Sequence, residues 1–173
     1  MTRASTAVPA PSTREGAPTA LDWSADNCSI GRTLDVLRDR WSFLVLREVF
    51  NGVRRFDDMR VRTSIPRAVL SDRLASLVDQ GLLRRVPYRE PGMRTRDEYR
   101  LTRKGLDLYP VLAAMLEWGN RYLADDDGPA LELVHRGCGA TMHLEIHCDA
   151  GHVVSEPREI LTRPGPAARR RTA

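Results

Sequence analysis

Lysine is nearly absent from this chain of 173 residues: 26 of its 27 cationic side chains are arginine, and Lys104 is the exception. Arginine's planar fork can hold a phosphate or a guanine edge with two hydrogen bonds, which lysine cannot. A GC-rich genome would produce the same bias through its codons. Cysteine is also scarce. Cys28, Cys138 and Cys148 are too few and too scattered for a disulfide scaffold. No run approaches the ~18 apolar residues of a membrane span. The N-terminal MTRASTAVPAPSTREGAPTA contains no apolar core of a signal peptide. These absences lead to the expectation of a protein of the reducing cytoplasm, away from membranes. Glycine-rich phosphate loops, nucleophile elbows and paired carboxylates on an apolar background are missing too, so no enzyme is expected. Asp57-Asp58 follows an arginine pair and reads most simply as solvated.

Positive charge is concentrated in one block. Residues 54–104 hold fourteen Lys and Arg against seven Asp and Glu, a net +7 in a chain whose total is +4. The remainder is therefore slightly acidic. Local, one-signed charge is the footprint of a nucleic-acid face rather than of a generally sticky surface. The ends differ from this block. Residues 1–22, rich in Pro, Ala, Ser and Thr, cannot bury enough apolar surface to offset ordering entropy and read as a disordered tail. Residues 161–173 read as a second, basic tail. Between them lie a main domain at 23–125 and a small β extension at 129–160.

Apolar periodicity orders the main domain. A first helix is expected at 29–39 on Ile30, Leu34 and Leu37. A second, at 41–50, is apolar nearly all round and belongs in the core, stopped by Asn51-Gly52. A short helix at 55–62 turns Phe56 and Met59 inward. The next spans 66–80, with Pro66 in its first turn, Leu70, Leu74 and Leu77 as its buried stripe, and Gly81 at its end. Strands at 82–89 and 97–102 pair around Pro91-Gly92. Thr102 then caps a long helix at 103–124, bent by Pro110, whose apolar surface exceeds what one small core needs. The surplus predicts a partner helix from a second subunit. Beyond Asp125-Asp126-Asp127-Gly128-Pro129, three short strands are expected at 131–135, 141–148 and 152–156.

The helix at 66–80 offers Arg67, Ala68, Ser71, Asp72 and Ala75 opposite its leucine stripe. Small side chains allow a helix into a major groove about 12 Å wide. Arg67 and Ser71 are best placed for base edges, and Arg73, on the flank, for phosphate. Alone, this pattern would equally suit a charged surface helix. The following hairpin decides between them: Arg84, Arg85, Arg89, Arg94, Arg96 and Arg100 form a one-signed wing directly after a candidate recognition helix. The candidate DNA contacts are Arg55, Ser64, Arg67, Ala68, Ser71, Arg73, Arg94 and Arg96.

CSIGRTLDVLRDRW from Cys28, then FLVLRE, RRFDDMR, VLSDRL, LVDQGLL, EYRLTRKG and YPVLAAMLEWGNRYL, taken in this order, resemble the HxlR-type winged-helix transcription regulators over residues 28–125. The resemblance implies a homodimer joined by its first and last helices, with one winged helix per subunit on a palindromic double-stranded DNA operator. Thr63-Ser64 stands where that family often has Leu-Gly, and Pro66 where it often has Ser or Ala, so a slightly different turn is expected. Some members use an N-terminal cysteine to sense oxidants or electrophiles, which makes Cys28 a candidate sensor; a small residue packed at the dimer seam is the alternative. In the extension, His135, Cys138, Cys148 and His152 have zinc-ligand types. Related extensions often carry Cys-x2-Cys-Gly in their second half, and here Gly151 replaces the second cysteine. Two readings stand: zinc on these four residues, or a metal-free hairpin held by Leu133, Leu144, Ile146 and Val153 against the main domain. The fold class expected is mainly α with small β, a winged helix-turn-helix with a long C-terminal dimerisation helix and a short C-terminal β extension. Regulation would act by changing the angle between the two winged domains. The rival from another class is a protein-interaction adaptor of zinc-ribbon and winged-helix type, without specific DNA binding.

Overall fold

Residues 23–171 are described by the computed structural model; the expectation for 1–22 lies outside them. Helices α1 (Ser29–Leu37), α2 (Arg40–Phe50), α3 (Phe56–Thr63) and α4 (Arg67–Asp79) precede a hairpin of β1 (Leu83–Tyr88) and β2 (Arg96–Leu101). A single helical turn, α5 (Arg103–Leu106), and helix α6 (Tyr109–Tyr122) complete the main domain. Its core is one cluster of Val45, Leu46, Val49, Met59, Ile65, Leu70, Leu74, Leu77, Leu82 and Leu83, with Leu37 added from α1. Each of α2, α3 and α4 presents its apolar stripe to this centre, where burial is worth about 1.5–3 kcal/mol per large side chain. The fold is mainly α with small antiparallel sheets, as the sequence pattern implies. Among the described residues no helix is long and apolar enough to cross a membrane.

The wing is braced at both ends. Leu83 pairs with Leu101 and Tyr88 with Arg96 in antiparallel register. Backbone from the α2–α3 connection joins as a third edge: Tyr99 N–H donates to the Arg54 carbonyl at 2.8 Å, and Arg55 bridges to Glu98. At the base, the Thr102 hydroxyl donates to the Gly81 carbonyl (2.6 Å) and accepts from Gly105 N–H (3.1 Å), so it caps α5 and ties it to the end of the α4–β1 turn. Gly105 is required by close approach. A Cβ there would lie 2.2 Å from the Leu82 carbonyl oxygen.

Three expectations need correction. The helix predicted at 103–124 is two helices. Pro110 does not bend a continuous helix but sits in the first turn of α6, where its missing N–H costs nothing. The extension forms fewer strands than expected. Only β3 (Ile146–His147) and β4 (Val153–Val154) pair, and Val134 makes a lone bridge to Thr141. Of the four apolar residues expected to hold the extension, Leu144, Ile146 and Val153 stay exposed and only Leu133 is half-buried, so that packing is largely missing. Polar contacts to α6 are present instead: Leu144 N–H donates to Glu117 Oε2 at 2.9 Å, and Asn120 Nδ2 to the Leu131 carbonyl at 2.9 Å. The segment beyond 160 is not a free tail over its described length. Ser24 N–H donates to the Arg169 carbonyl (2.7 Å), Asn27 Nδ2 to the Ala167 carbonyl (2.6 Å), and Trp23 bridges to Arg170, just ahead of α1.

Candidate nucleic-acid interface

The turn between α3 and α4 sets the angle of the recognition helix. Ser64 terminates α3 in the left-handed region, at φ 55°, and its N–H donates to the Arg60 carbonyl. A side chain there is strained by about 1–2 kcal/mol relative to glycine. The departures at 63, 64 and 66 are thus absorbed. Thr63 Oγ1 donates to the Met59 carbonyl at 2.7 Å, and Pro66 stands at the N-cap of α4, its carbonyl accepting from Leu70 N–H. With Leu70, Leu74 and Leu77 buried, the opposite side of α4 leaves Arg67, Ala68 and Ser71 exposed. Arg67, at the first helical position, is 75% exposed.

Around this face the cations are held by neighbouring acids. Asp57, in the first turn of α3, lies 3.9 Å from Arg67 and 3.4 Å from Arg96 of the wing. Arg67 also lies over the Phe56 ring, 5.1 Å from its centroid. Arg55 bonds Glu90 at 2.6 Å and lies over Tyr88 at 4.5 Å, and the Glu90 bond raises its pKa further. Arg94 is exposed at the wing tip. These groups frame a cleft of about 720 Å³ between recognition helix and wing. At the root of the wing Arg84 faces Arg100 directly across the strands. Like charges opposite one another destabilise a hairpin, and here Arg100 is offset by its ion pair with Glu98 at 2.5 Å. Asp57, read from sequence as merely solvated, is therefore a member of this face.

Arg73 is placed differently from the expectation. It is not a free phosphate contact: its side chain is only 17% exposed, with Nε 2.9 Å from Asp39 Oδ2 and Nη1 3.0 Å from Asp72 Oδ2. Both nitrogens are buried, and the carboxylates lie off the line of their N–H bonds, so the pairing is ionic rather than well-aligned hydrogen bonding. Asp39 has a second task. Its Oδ1 accepts from Trp41 N–H (3.0 Å) and Ser42 N–H (3.2 Å), capping α2. The preceding Arg38 sits at φ 59°, ψ −58°, with Asp39 N–H bonded to the Leu37 carbonyl at 2.7 Å. That is a γ-turn of the strained hand on a non-glycine residue. One aspartate thus joins the α1–α2 joint, the start of α2 and the middle of the recognition helix. An aspartate two residues before Trp41 could have been read as an N-cap, but nothing in the sequence names Arg73 as its partner. Glu48 is a further residue that periodicity does not reveal. It is 1% exposed within α2 and ion-paired to Arg47 at 2.6 Å and to Arg62 of α3.

Cys28 stands at the N-cap of α1 and is exposed, with no capping bond from its side chain. In the extension, His135 Nδ1 lies 3.3 Å from Cys138 Sγ, and Cys148 Sγ 3.4 Å from His152 Nδ1. Each pair sits in a tight turn closed by a glycine of positive φ, Gly139 and Gly151. Among the described residues no three His, Cys, Asp or Glu side chains gather closely enough to hold a metal ion. The four residues are two separate pairs, which is not the tetrahedral set that structural zinc requires.

Residues 36–127 match the family model described as HxlR-like helix-turn-helix. The chain belongs to this family. It is 39% identical over 145 residues to an uncharacterized HTH-type transcriptional regulator of Mycobacterium tuberculosis, covering 84% of this chain and 90% of that protein. Among solved structures, PA1607, a proposed transcription factor, superposes with a TM-score of 0.71 at 31% identity, over 80% of this chain and 96% of that one. A second, PA1374 from Pseudomonas aeruginosa, gives 0.57 at 35% identity, over 82% and 95%. The oxidized form of a redox regulator, HypR, gives 0.50 at 28% identity, over 57% and 100%. This HxlR-like chain is accordingly a helix-turn-helix, DNA-binding transcription regulator, and its relatives are regulators rather than enzymes. The first two structures extend the likeness into the C-terminal extension, which the family model leaves out.

Proposed function

We propose that this HxlR-like regulator acts as a homodimer on a palindromic operator, each subunit placing α4 in the major groove and its wing along the backbone. The observation that carries the DNA face is the exposed set Arg67, Ala68 and Ser71 on α4, beside the arginines of the wing and opposite the buried leucines. Arg67 would leave Asp57 for a base edge, while Arg55, Ser64, Arg94 and Arg96 meet phosphates. Dimerisation is supported by apolar residues left in solvent at helical spacing. They are Val111, Met115, Trp118 and Tyr122 on α6, and Ile30 and Leu34 on α1. A footprint on the chain's own promoter defines the operator. Arg67→Ala is expected to weaken operator binding by about 1–3 kcal/mol and relax sequence preference. Arg94→Ala with Arg96→Ala is expected to weaken all sequences alike and flatten the salt dependence, by about one unit of slope for each phosphate no longer neutralised. An adaptor would show no steep salt slope at all. Wild-type affinity in both variants would sink the assignment.

The same reading makes Cys28 the sensor of an oxidant or electrophile. Its exposure supports this, as does the likeness to a redox regulator. Diamide is expected to release DNA from the wild type and to leave Cys28→Ser bound. Equal release from both proteins would place the sensitivity elsewhere.

A further inference from the structure

A cavity of about 300 Å³ lies between α6 and the C-terminal extension. Ala113 and Leu116 of α6 form one wall, and Leu133 and Leu144 of the extension form the other. The bonds from Leu144 to Glu117 and from Asn120 to Leu131 fasten the two walls together. A dry apolar cavity of about 150 Å³ accepts one benzene ring, so this one has room for about two. Its charge is opposite to that of the chain. The sequence has 27 cationic side chains, yet among the described residues no Arg or Lys lines the cavity, whereas Glu117 and Glu132 do, with the single imidazole of His143 beside them. Glu117 Oε2 is taken by Leu144 N–H, and no hydrogen bond from a described residue reaches Oε1.

We propose that this cavity binds a small apolar cation, a protonated amine on a body of about two rings, with Glu117 and Glu132 meeting the ammonium. An anionic body of the same shape would face two carboxylates in a half-enclosed apolar site, with only the His143 imidazole to meet it. The inference deepens the regulator reading by naming an effector class. It rests on that reading only for its consequence, since α6 also carries the apolar stripe proposed to join the dimer.

Isothermal titration calorimetry on the full chain without DNA tests it, using three probes that share one ring system: tryptamine, uncharged 3-ethylindole and anionic indole-3-propionate. Saturable binding of tryptamine is expected, at least about tenfold tighter than indole-3-propionate. The double variant Glu117→Gln with Glu132→Gln should erase that preference while retaining 3-ethylindole, because an amide oxygen at position 117 can still accept from Leu144 N–H. Leu133→Trp should fill the space and remove all three. A shift of the Leu144 amide on tryptamine addition, read by nuclear magnetic resonance in the wild type, supports the location without relying on either variant. Equal affinity for cation and anion overturns the proposal. So does binding that survives Leu133→Trp, or no binding of any probe at about 1 mM, the result if a second copy of the chain fills the cavity. Arg67→Ala should bind tryptamine normally, so failure of the DNA assignment and failure of this one are separable.

Discussion

Glu48 is an acid placed where only apolar side chains would be expected, on the buried side of α2. Burial by itself would push its carboxyl up, but hydrogen bonds from Arg62 and Arg47 outweigh that and hold it below the usual glutamate value. The two arginines keep about half of their surface in water, 54% and 44%, so the net gain is well short of what a fully enclosed pair could reach. Glu48→Gln is expected to lower stability at neutral pH by about 1–3 kcal/mol. The sign of the pH dependence follows from the lowered folded value. The contribution is complete above the ordinary glutamate pKa and is lost as pH falls through the depressed one. Urea melts of wild type and variant should therefore converge under acid conditions. A gap that stays constant between pH 7 and pH 3 would show that Glu48 acts by shape alone. Because Arg62 lies on α3 and Glu48 on α2, the same pair fixes the first helix of the DNA-binding unit to the core.

At the scale of elements, the joint between α1 and α2 links parts whose sequences give no hint of one another. Asp39→Ala removes a cap, costing about 1 kcal/mol, and also the partner of Arg73. Asp39→Asn retains a capping oxygen but not the charge. The expected result is near-wild-type thermal stability for Asp39→Asn with reduced operator affinity, measured by fluorescence anisotropy on the footprinted site. Full affinity would restrict Asp39 to its capping role. This joint also marks how far the sequence could be read. The leucine stripe of α4, the apolar α2 and the two-strand wing were legible, because periodicity reports directly which side of an element is buried. The break after α5 was not. Pro110 was read as a bend within one helix, whereas it opens α6, and the contacts of Thr102 and Gly105 with the Gly81 and Leu82 carbonyls that seat α5 leave no local signature. Arg73 was legible as a flank residue of a helix, but its burial against Asp39 was not. The strands expected at 131–135 and 141–148 shrank, to a lone Val134–Thr141 bridge and to Ile146–His147, for another reason. Alternation predicts pairing only where a second layer covers one face, and here Leu144, Ile146 and Val153 stay exposed in the single chain. Within the proposed DNA face, the exposure of Arg67, Ala68, Ser71 and Arg94 was accessible from the pattern, whereas the pairing of Arg67 and Arg96 with Asp57 was not.

For the whole molecule, the large apolar residues left in solvent are the support for the proposed dimer. Trp118 is 58% exposed and Ile30 75%, and a water-facing stripe of this kind along two helices is a typical interface core. Trp118→Asp should yield monomers or aggregates and lose operator binding together with dimerisation, as read by light scattering and by gel shift. A wild type that is monomeric at micromolar concentration would refute the dimer. The meeting of residues 167–170 with Trp23–Asn27 adds a constraint on the same region, because it ties the far end of the chain to the root of α1.

The strained turn at Arg38 has a mechanical meaning in the proposed dimer. A slack hinge would let each arm swing while its recognition helix kept its place. Here the turn, the cap and the pairing with Arg73 meet within two adjacent residues, so a tilt of the arm is delivered to α4 with little lost along the way. The two chains then act as calipers whose gap is set at the joint rather than at the jaws. A duplex offers its grooves at one fixed interval of about 34–36 Å per helical turn. A small rotation of the arms, far from any base, would be enough to take both jaws off their marks at once.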